Sequence, residues 1–208
     1  MMSRHTMLAA TLALAATLCA AAQPAAAQDH PLAKPSRDVM VEYHILNVQP
    51  GDHRSDTVRM YFTDGGMRLR IEPVGQPGYS IVDRSAHRML LVMEPQHVYV
   101  EVAYDPNRIM TFDATDATFR RIGHDTVAGL GCTVYNVARQ GRESQVCLTD
   151  DGVMLRANSE NPGQANGGME AVSVTYAPQP ASLFVPPPGY QQMDIATMAH
   201  GMMAPPSK

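Results

Sequence analysis

Hydrophobic residues recur at every second position from Val39 onward. The clearest run is Val98–Val102, in which three valines are separated by Tyr99 and Glu101. A period of two is the pattern of a β-strand that buries one face. Gly, Pro, Asn and Asp recur between these runs at short spacing, as they do in hairpin turns. The pattern therefore predicts an all-β fold built as an antiparallel meander.

The pair Asp64-Gly65 lies between two alternating runs and predicts a two-residue type I′ hairpin turn, because both central residues need a positive φ. The register that this turn implies places three apolar pairs on one face: Phe62 with Met67, Met60 with Leu69, and Val58 with Ile71. On the other face it places Arg59 opposite Arg70, in an arginine-rich patch that suits either solvent or an anionic partner.

Further alternating runs predict the remaining strands: Tyr79–Asp83, Arg88–Met93, Val98–Val102, Ala117–Ile122, Cys132–Arg139, Glu143–Thr149, Val153–Ala157 and Met169–Tyr176. A turn at Asp151-Gly152 would place Leu148 opposite Leu155 and Val146 opposite Ala157. Pro106 early in a first turn predicts one short helix near 106–114, and residues 181–184 suit a single helical turn.

The N-terminus has the three parts of a secretory signal peptide. Arg4 precedes an apolar run from Met7 to Ala22, and the segment ends in Ala25-Ala26-Ala27. The run is shorter than the roughly 20 residues that span a bilayer. A lipoprotein signal ending at Cys19 is the less favoured alternative. We therefore expect cleavage after residue 27, a periplasmic or secreted location, and no membrane span in the mature chain.

The rest of the chain divides by composition into three parts. Residues 28–37 are polar and contain proline, which predicts a flexible lead-in. Residues 38–190 hold all the predicted strands and form one β domain. Residues 191–208 contain methionine and histidine but few groups that could pack, so we expect a disordered tail.

The chain has three cysteines, and only Cys132 and Cys147 lie outside the predicted signal peptide. An even pair in an oxidising compartment predicts a disulfide bond. If the two cysteines are directly opposite on neighbouring strands, the bridge lies on the more polar face, with Arg156 and Asn136. Closing the loop between residues 132 and 147 with this bridge stabilises the fold by roughly 3 kcal/mol.

The charge and the motifs exclude several kinds of function. A net charge of −4 without a basic stripe argues against nucleic acid as a partner. The sequence has no HExxH, CxxC or GxSxG motif, so we predict no metal, no cofactor, no catalytic residue and no enzyme. The Met/His tail is a candidate copper site, because thioethers and imidazole suit copper, and a tail without any site is the alternative.

One apolar face remains as a candidate ligand site. Methionine side chains adapt to irregular space, and a curved sheet with an apolar concave side can hold a lipid or an acyl chain. The alternative is an ordinary packed core. The candidate ligand-lining residues are Val58, Met60, Phe62, Met67, Leu69, Ile71, Leu90, Val98 and Val100.

Five stretches carry a family resemblance: Arg68–Pro73, Ile81–Arg84, Met89–Met93, Val127–Tyr135 and Val146–Arg156. Together they resemble a bacterial exported family of unknown function that is related to the LolA/LolB-like lipoprotein-carrier fold. The resemblance covers about residues 38–190. It implies a curved antiparallel sheet that forms an open half-barrel, with a short helical element over a hydrophobic concavity.

These observations give three hypotheses of function. The leading one is a periplasmic, non-enzymatic binding protein with a lipid or other apolar ligand in the concave sheet. The second is an envelope protein-interaction or sensor module that holds no small ligand. The third is a copper-handling protein that uses the Met/His tail.

Overall fold

The computed structural model describes residues 30–46, 55–104, 117–139, 141–159 and 168–194. These residues form β-strands and one 3₁₀ turn, Ala181–Phe184. The strands in chain order are β1 (Val39–Leu46), β2 (Thr57–Thr63), β3 (Arg68–Pro73), β4 (Tyr79–Asp83), β5 (Arg88–Met93), β6 (Val98–Ala103), β7 (Thr118–Val127), β8 (Leu130–Arg139), β9 (Arg142–Leu148), β10 (Met154–Ser159), β11 (Gly168–Tyr176) and β12 (Gln191–Met193).

All twelve strands belong to one open sheet, in the order β12-β6-β5-β4-β3-β2-β1-β11-β10-β9-β8-β7. Within the described residues, each neighbouring pair is antiparallel except β12 with β6, which is parallel. The all-β antiparallel fold and the helical turn at 181–184 are confirmed. The signal peptide and the short helix predicted near 106–114 lie outside the described residues.

The hairpin between β2 and β3 has the predicted faces but not the predicted register. Phe62 lies opposite Leu69 and Met60 lies opposite Ile71, two residues away from the expected pairing. The loop takes four residues instead of two, because Asp64, Gly65 and Gly66 all have positive φ. A shift of two residues keeps every side chain on its own face, so the buried set is preserved.

The hairpin between β9 and β10 is predicted correctly at one end only. Val146 lies opposite Ala157 as expected, whereas Leu148 lies opposite Met154 and not Leu155. The pairing shifts at a bulge between Met154 and Arg156. A bulge places two residues against one, which an alternation pattern alone does not reveal.

The main core lies on the inner face of the sheet, on both sides of β1. Val39, Val41, Leu155 and Met169 are each 0% exposed and belong to one cluster. Tyr43 is also buried there, and its hydroxyl donates to the Met154 carbonyl oxygen at 2.7 Å. Burial raises the pKa of the Tyr43 hydroxyl well above its ordinary value. Contacts between β1 and β10 thus tie the centre of the sheet together.

The lead-in, which the sequence predicts to be flexible, contacts the rest of the domain from residue 34 to residue 38. The Ser36 amide donates to the Asp151 carbonyl oxygen at 2.9 Å, and Pro35 is buried. A Cβ on Gly152 would lie 2.1 Å from the Lys34 carbonyl oxygen. The lead-in therefore packs directly on the turn between β9 and β10, a contact between segments that are distant in the sequence.

The ordered chain also continues past the predicted end of the domain at residue 190. Gln191–Met193 forms β12 and pairs with Val98–Val100 of β6. Two of the three β12 side chains are exposed, so this strand is formed by backbone pairing without a hydrophobic pattern. In the part of the chain that the structure describes, no helix is long and apolar enough to cross a membrane.

Candidate functional site

The residues predicted to line a ligand site fall into two groups. Met60, Ile71 and Val100 lie in one cross-strand row on the inner face, and Phe62 and Leu69 lie opposite each other in the neighbouring row of the same face. The strand pairing places Val58 and Val98 on this face as well. The structure thus brings together most of the predicted set.

The other two residues of that set lie elsewhere. Leu90 pairs with Ile81 and Glu101 and therefore points to the outer face, and Met67 lies in the β2–β3 turn. The assignment of Leu90 to the inner face is wrong, because β5 buries apolar side chains on both of its faces.

The centre of the described inner face is packed with the protein's own side chains, whereas Val58, Ile71 and Val98 are half-buried. Leu69 is 0% exposed, and Met60 and Phe62 are each 7% exposed. They belong to the same cluster as Phe119 of β7 and Tyr135 of β8, which come from the opposite half of the sheet. Side chains from both halves of the sheet therefore belong to one continuous hydrophobic core.

A second apolar cluster lies on the outer face of β3 to β6. We call it the outer patch and define it as Tyr61, Tyr79, Ile81, Leu90, Val92 and Tyr99. The sequence analysis missed this patch. A signal was present, because Met89–Met93 is apolar without interruption, and such a run indicates a strand that is buried on both faces.

The outer patch is covered by the last described segment of the chain, residues 177–193, which we call the C-terminal arm. Phe184, at the end of the 3₁₀ turn, is buried against Tyr79, Ile81, Leu90 and Val92. Farther along the arm, the rings of Tyr190 and His97 are nearly perpendicular, with centroids 5.2 Å apart. The arm then ends as β12 at the edge of the sheet.

An arginine at the side of the outer patch is held by two partners. The Arg70 guanidinium lies 3.3 Å from the centroid of the Tyr79 ring, and its Nε donates to Glu72 Oε2 at 3.0 Å. Burial raises the pKa of the Tyr79 hydroxyl, although a hydrogen bond and the positive charge from Arg70 act in the opposite direction. Arg70 therefore acts as a fixed part of the patch.

The arginine-rich patch predicted on this hairpin is divided among separate ion pairs. Arg59 lies opposite Glu72, not Arg70, and its Nε donates to Glu42 Oε2 at 2.8 Å. Arg68 Nε lies 3.9 Å from Asp83 Oδ2. The register shift of two residues brings carboxylates next to the arginines, so the repulsion expected from facing arginines does not arise.

A small cavity adjoins the outer patch at the end of β4 and β5. It is lined by Arg68, Asp83 and Arg88 on one side and by Ile81, Val82, Leu90 and Phe184 on the other. Its volume of about 10 Å³ is room for no more than about one water molecule. The cavity is therefore too small for a lipid or an acyl chain.

The predicted disulfide bond joins Cys132 to Cys147, with the two Cα atoms 5.4 Å apart. The cysteines are not directly opposite, because Val134 faces Cys147 and Asp125 faces Cys132. The bridge therefore runs diagonally between β8 and β9. Cys147 shares its face with Arg156, its partner on β10, which is the polar face that the sequence predicted.

The described residues hold no group of three or more His, Cys, Asp or Glu side chains that could bind a metal ion. The candidate copper tail beyond Asp194 lies outside the described residues. The predictions that the protein has no cofactor, no metal and no catalytic residue stay predictions.

A family profile described as Domain of unknown function (DUF4412) matches residues 48–156 of this chain. The match covers the region that carried the resemblance in the sequence, and the predicted resemblance is confirmed. A comparison with the curated proteins finds no significant match.

Several solved structures are similar in fold. An uncharacterised conserved protein from Thermus thermophilus is 12% identical, with a TM-score of 0.53 over 76% of this chain and 91% of that protein. MucB is 15% identical, with a TM-score of 0.50. The alignment covers 76% of this chain and 60% of MucB. The LolA superfamily protein NE2245 from Nitrosomonas europaea is 11% identical, with a TM-score of 0.38 over 74% and 92% of the two chains.

Proposed function

Because this chain belongs to the family of the Domain of unknown function DUF4412 and has an open-sheet fold similar to that of MucB, we propose that it is an exported, non-enzymatic protein that binds another protein. The proposal places it in the periplasm or outside the cell, as the predicted signal peptide suggests.

The observation that supports this proposal is the packed centre of the described inner face. Leu69 and Val82 are completely buried in one cluster with Phe119 and Tyr135. A carrier of free lipid needs an apolar cavity of several hundred Å³, whereas the side chains at the centre of the described inner face are buried in one core, which supports binding at the outer surface instead. MucB has been solved in complex with MucA(peri), and we carry over from that protein only the role of holding a protein partner.

Large apolar side chains on the surface support a protein partner. Leu32, Ile122, Val172 and Val185 are between 42% and 54% exposed. Apolar side chains on a surface are common singly, but they are also the usual contact points of protein interfaces.

Photo-cross-linking in the native cells tests the proposal. A photoreactive residue is placed at Leu32, Ile122, Val172 or Val185, and at the exposed polar Ser173 as the matched control. We expect at least one apolar position to give a discrete adduct with one defined protein that Ser173 does not give. If all positions give the same adducts as Ser173, the protein is not a specific protein-binding module.

A second candidate is a protein that holds an apolar ligand on its inner face. The observation in its favour is that methionines are part of that core: Met60 and Met169 are buried there, and Met89 and Met154 pack against it. Methionine side chains can rearrange around a ligand.

Native mass spectrometry of the purified protein separates the two candidates. A co-purified lipid mass, or saturable uptake of a fluorescent fatty acid that Met60→Phe blocks, would favour the apolar ligand. A clean mass of the protein alone together with no uptake would favour the protein partner.

A further inference from the structure

The C-terminal arm covers the outer patch with very few of its own side chains. Of the residues that form its 3₁₀ turn, Phe184 alone is buried. The next residue, Val185, is 51% exposed. Phe184 is thus the buried anchor of the arm, in one cluster with Tyr79, Ile81, Leu90 and Val92, and Leu183 and Tyr190 pack beside it half-buried.

The end of the arm is held mainly by its backbone. β12 has three residues, and the Gln191 amide donates to the His97 carbonyl oxygen at 3.0 Å. Because main-chain hydrogen bonds do not depend on the side chains, another extended segment could form the same bonds with β6. Parallel pairing is also slightly weaker per residue than antiparallel pairing.

Without the arm, the outer patch would resemble the centre of a protein interface. It combines three tyrosines with Ile81, Leu90 and Val92, and it lies beside the open edge of a strand. Tyrosines around an apolar pocket are typical of positions that contribute strongly to binding. The structure thus contains a complete site for an extended peptide, with the chain's own arm as the occupant.

We propose that the outer patch and the edge of β6 form the docking site for an extended segment of the protein partner, which replaces the C-terminal arm. This inference rests on the proposed function and names its surface. The segment carries an aromatic anchor that fills the position of Phe184. Farther along, as in the arm, it pairs with Val98–Val100 of β6.

The arm then regulates the site by competing for it. If the site is covered most of the time, its apparent affinity for the partner is the intrinsic affinity multiplied by the fraction of molecules in which the site is open. Weakening the arm should therefore strengthen the binding of a peptide in trans, because Phe184 belongs to the arm and not to the patch beneath it.

Fluorescence anisotropy with the full mature protein tests this inference. The probe is a labelled synthetic peptide with the sequence of residues 180–193 of this chain. The protein variants are Phe184→Ala, which removes the anchor, and Ser182→Ala, which changes an exposed side chain of the same turn and serves as the matched control. Two altered probes carry Phe184→Ala or an N-methyl group at the amide of Gln191.

We expect Phe184→Ala to bind the unaltered probe at least about tenfold more tightly than the wild type does, as for a site that is closed more than about nine-tenths of the time. The Ser182→Ala variant should behave as the wild type. Both altered probes should bind the Phe184→Ala variant at least about tenfold more weakly, since one lacks the anchor and the other lacks the backbone donor. Equal binding by the wild type and Phe184→Ala, or equal binding of all three probes, would overturn the inference.

Two additions keep the test decisive. If Phe184→Ala does not fold, Leu183→Ala removes a half-buried side chain of the same turn and should give a smaller gain over Ser182→Ala; no gain overturns the inference. The cross-linking experiment is repeated with the photoreactive residue at Tyr99. A partner that reacts at Val172 but not at Tyr99 leaves the proposed function standing and removes this site, whereas no partner at any position removes the proposed function itself.

Discussion

Asp125 and Arg156 form an ion pair that passes over the Cys132–Cys147 disulfide bond. Asp125 lies opposite Cys132 in the β7–β8 pair, and Arg156 lies opposite Cys147 in the β9–β10 pair. The two charged side chains thus connect the edge strand β7 to β10 across the two strands that the disulfide joins. This arrangement explains why both cysteines are buried on a face that is otherwise polar.

Removing the disulfide should destabilise the fold. The double variant Cys132→Ala/Cys147→Ala loses a cross-link that closes a loop of about 15 residues, for which the chain-entropy model gives roughly 3 kcal/mol. We expect a loss of that order in the free energy of unfolding, measured by urea denaturation against the oxidised wild type. A change below about 0.5 kcal/mol, within the range of ordinary surface substitutions, would contradict a structural role.

Breaking the ion pair that passes over the disulfide bond should make this bond easier to reduce. Asp125→Asn breaks the ion pair with Arg156, and we expect dithiothreitol to reduce the bond faster under native conditions. Alkylation of the freed thiols followed by mass spectrometry measures the rate.

The matched control for this prediction is Glu170→Gln. Glu170 Oε2 lies 3.5 Å from Arg156 Nη1, but this carboxylate lies on the other side of Arg156, away from the bridge. Equal rates of reduction for the two variants would show that the Asp125–Arg156 pair does not shield the disulfide.

Asp151 should make the stability of the protein depend on acid pH. Burial alone would raise its pKa, but hydrogen bonds from Thr149, Arg37 and Tyr176 outweigh this effect and hold the pKa below its ordinary value of 3.8. A lowered pKa stabilises the folded state above pH 3.8, and this stabilisation is lost as the pH falls through the lowered pKa.

The variant Asp151→Asn tests this dependence on pH. It should be less stable than the wild type at neutral pH, and the difference should shrink as the pH falls below 3.8. Thermal unfolding across pH 2.5 to 7, a range of about four units around the ordinary carboxyl pKa, measures the two curves. Parallel curves would contradict a lowered pKa for Asp151.

Gly152 should be needed both for its backbone conformation and for the space around it. Its φ is +87°, and a Cβ would lie 2.1 Å from the Lys34 carbonyl oxygen. Gly141 is the matched control, because its φ is +75° but nothing lies within 4 Å of a Cβ there. Gly141→Ala should cost about 1–2 kcal/mol from the positive φ, and Gly152→Ala should cost about 1–3 kcal/mol more from overpacking.

Chemical denaturation of both glycine variants measures the difference. Hydrogen exchange adds a second readout, because Gly152→Ala should also speed exchange of the Ser36 amide, which bonds to Asp151. Equal losses for the two variants would show that the lead-in does not constrain this turn.

The alternation of apolar and polar residues predicted the buried faces of β2 and β3 correctly. An error of two residues in the strand register leaves each side chain on its own face. The alternation did not predict the loop length or the packing of the loop on a segment that is distant in the sequence. A Cβ on Gly66 would lie 3.0 Å from the Lys34 Cβ, so the hairpin and the lead-in fit each other only in the folded chain.

The outer patch could not be derived from alternation for a related reason. Leu90 lies on a strand whose two faces are both covered, so the pattern carries no information about which face is inside. The covering segment is an arm with several prolines whose contact depends on Phe184. Neither hydrophobic period nor a motif marks such a segment, and only the tertiary contact identifies it.

The short pairing between β12 and β6 also bears on aggregation. Val98–Val102 is rich in residues of high β-propensity, and an uncovered strand of this kind at the edge of a sheet can template the growth of further strands. β12 covers Val98–Val100, and the exposed charge of Glu101 follows directly. A chain that loses Gln191–Met193, by truncation or proteolysis, should therefore self-associate more readily than the intact protein, even if its core remains fully folded.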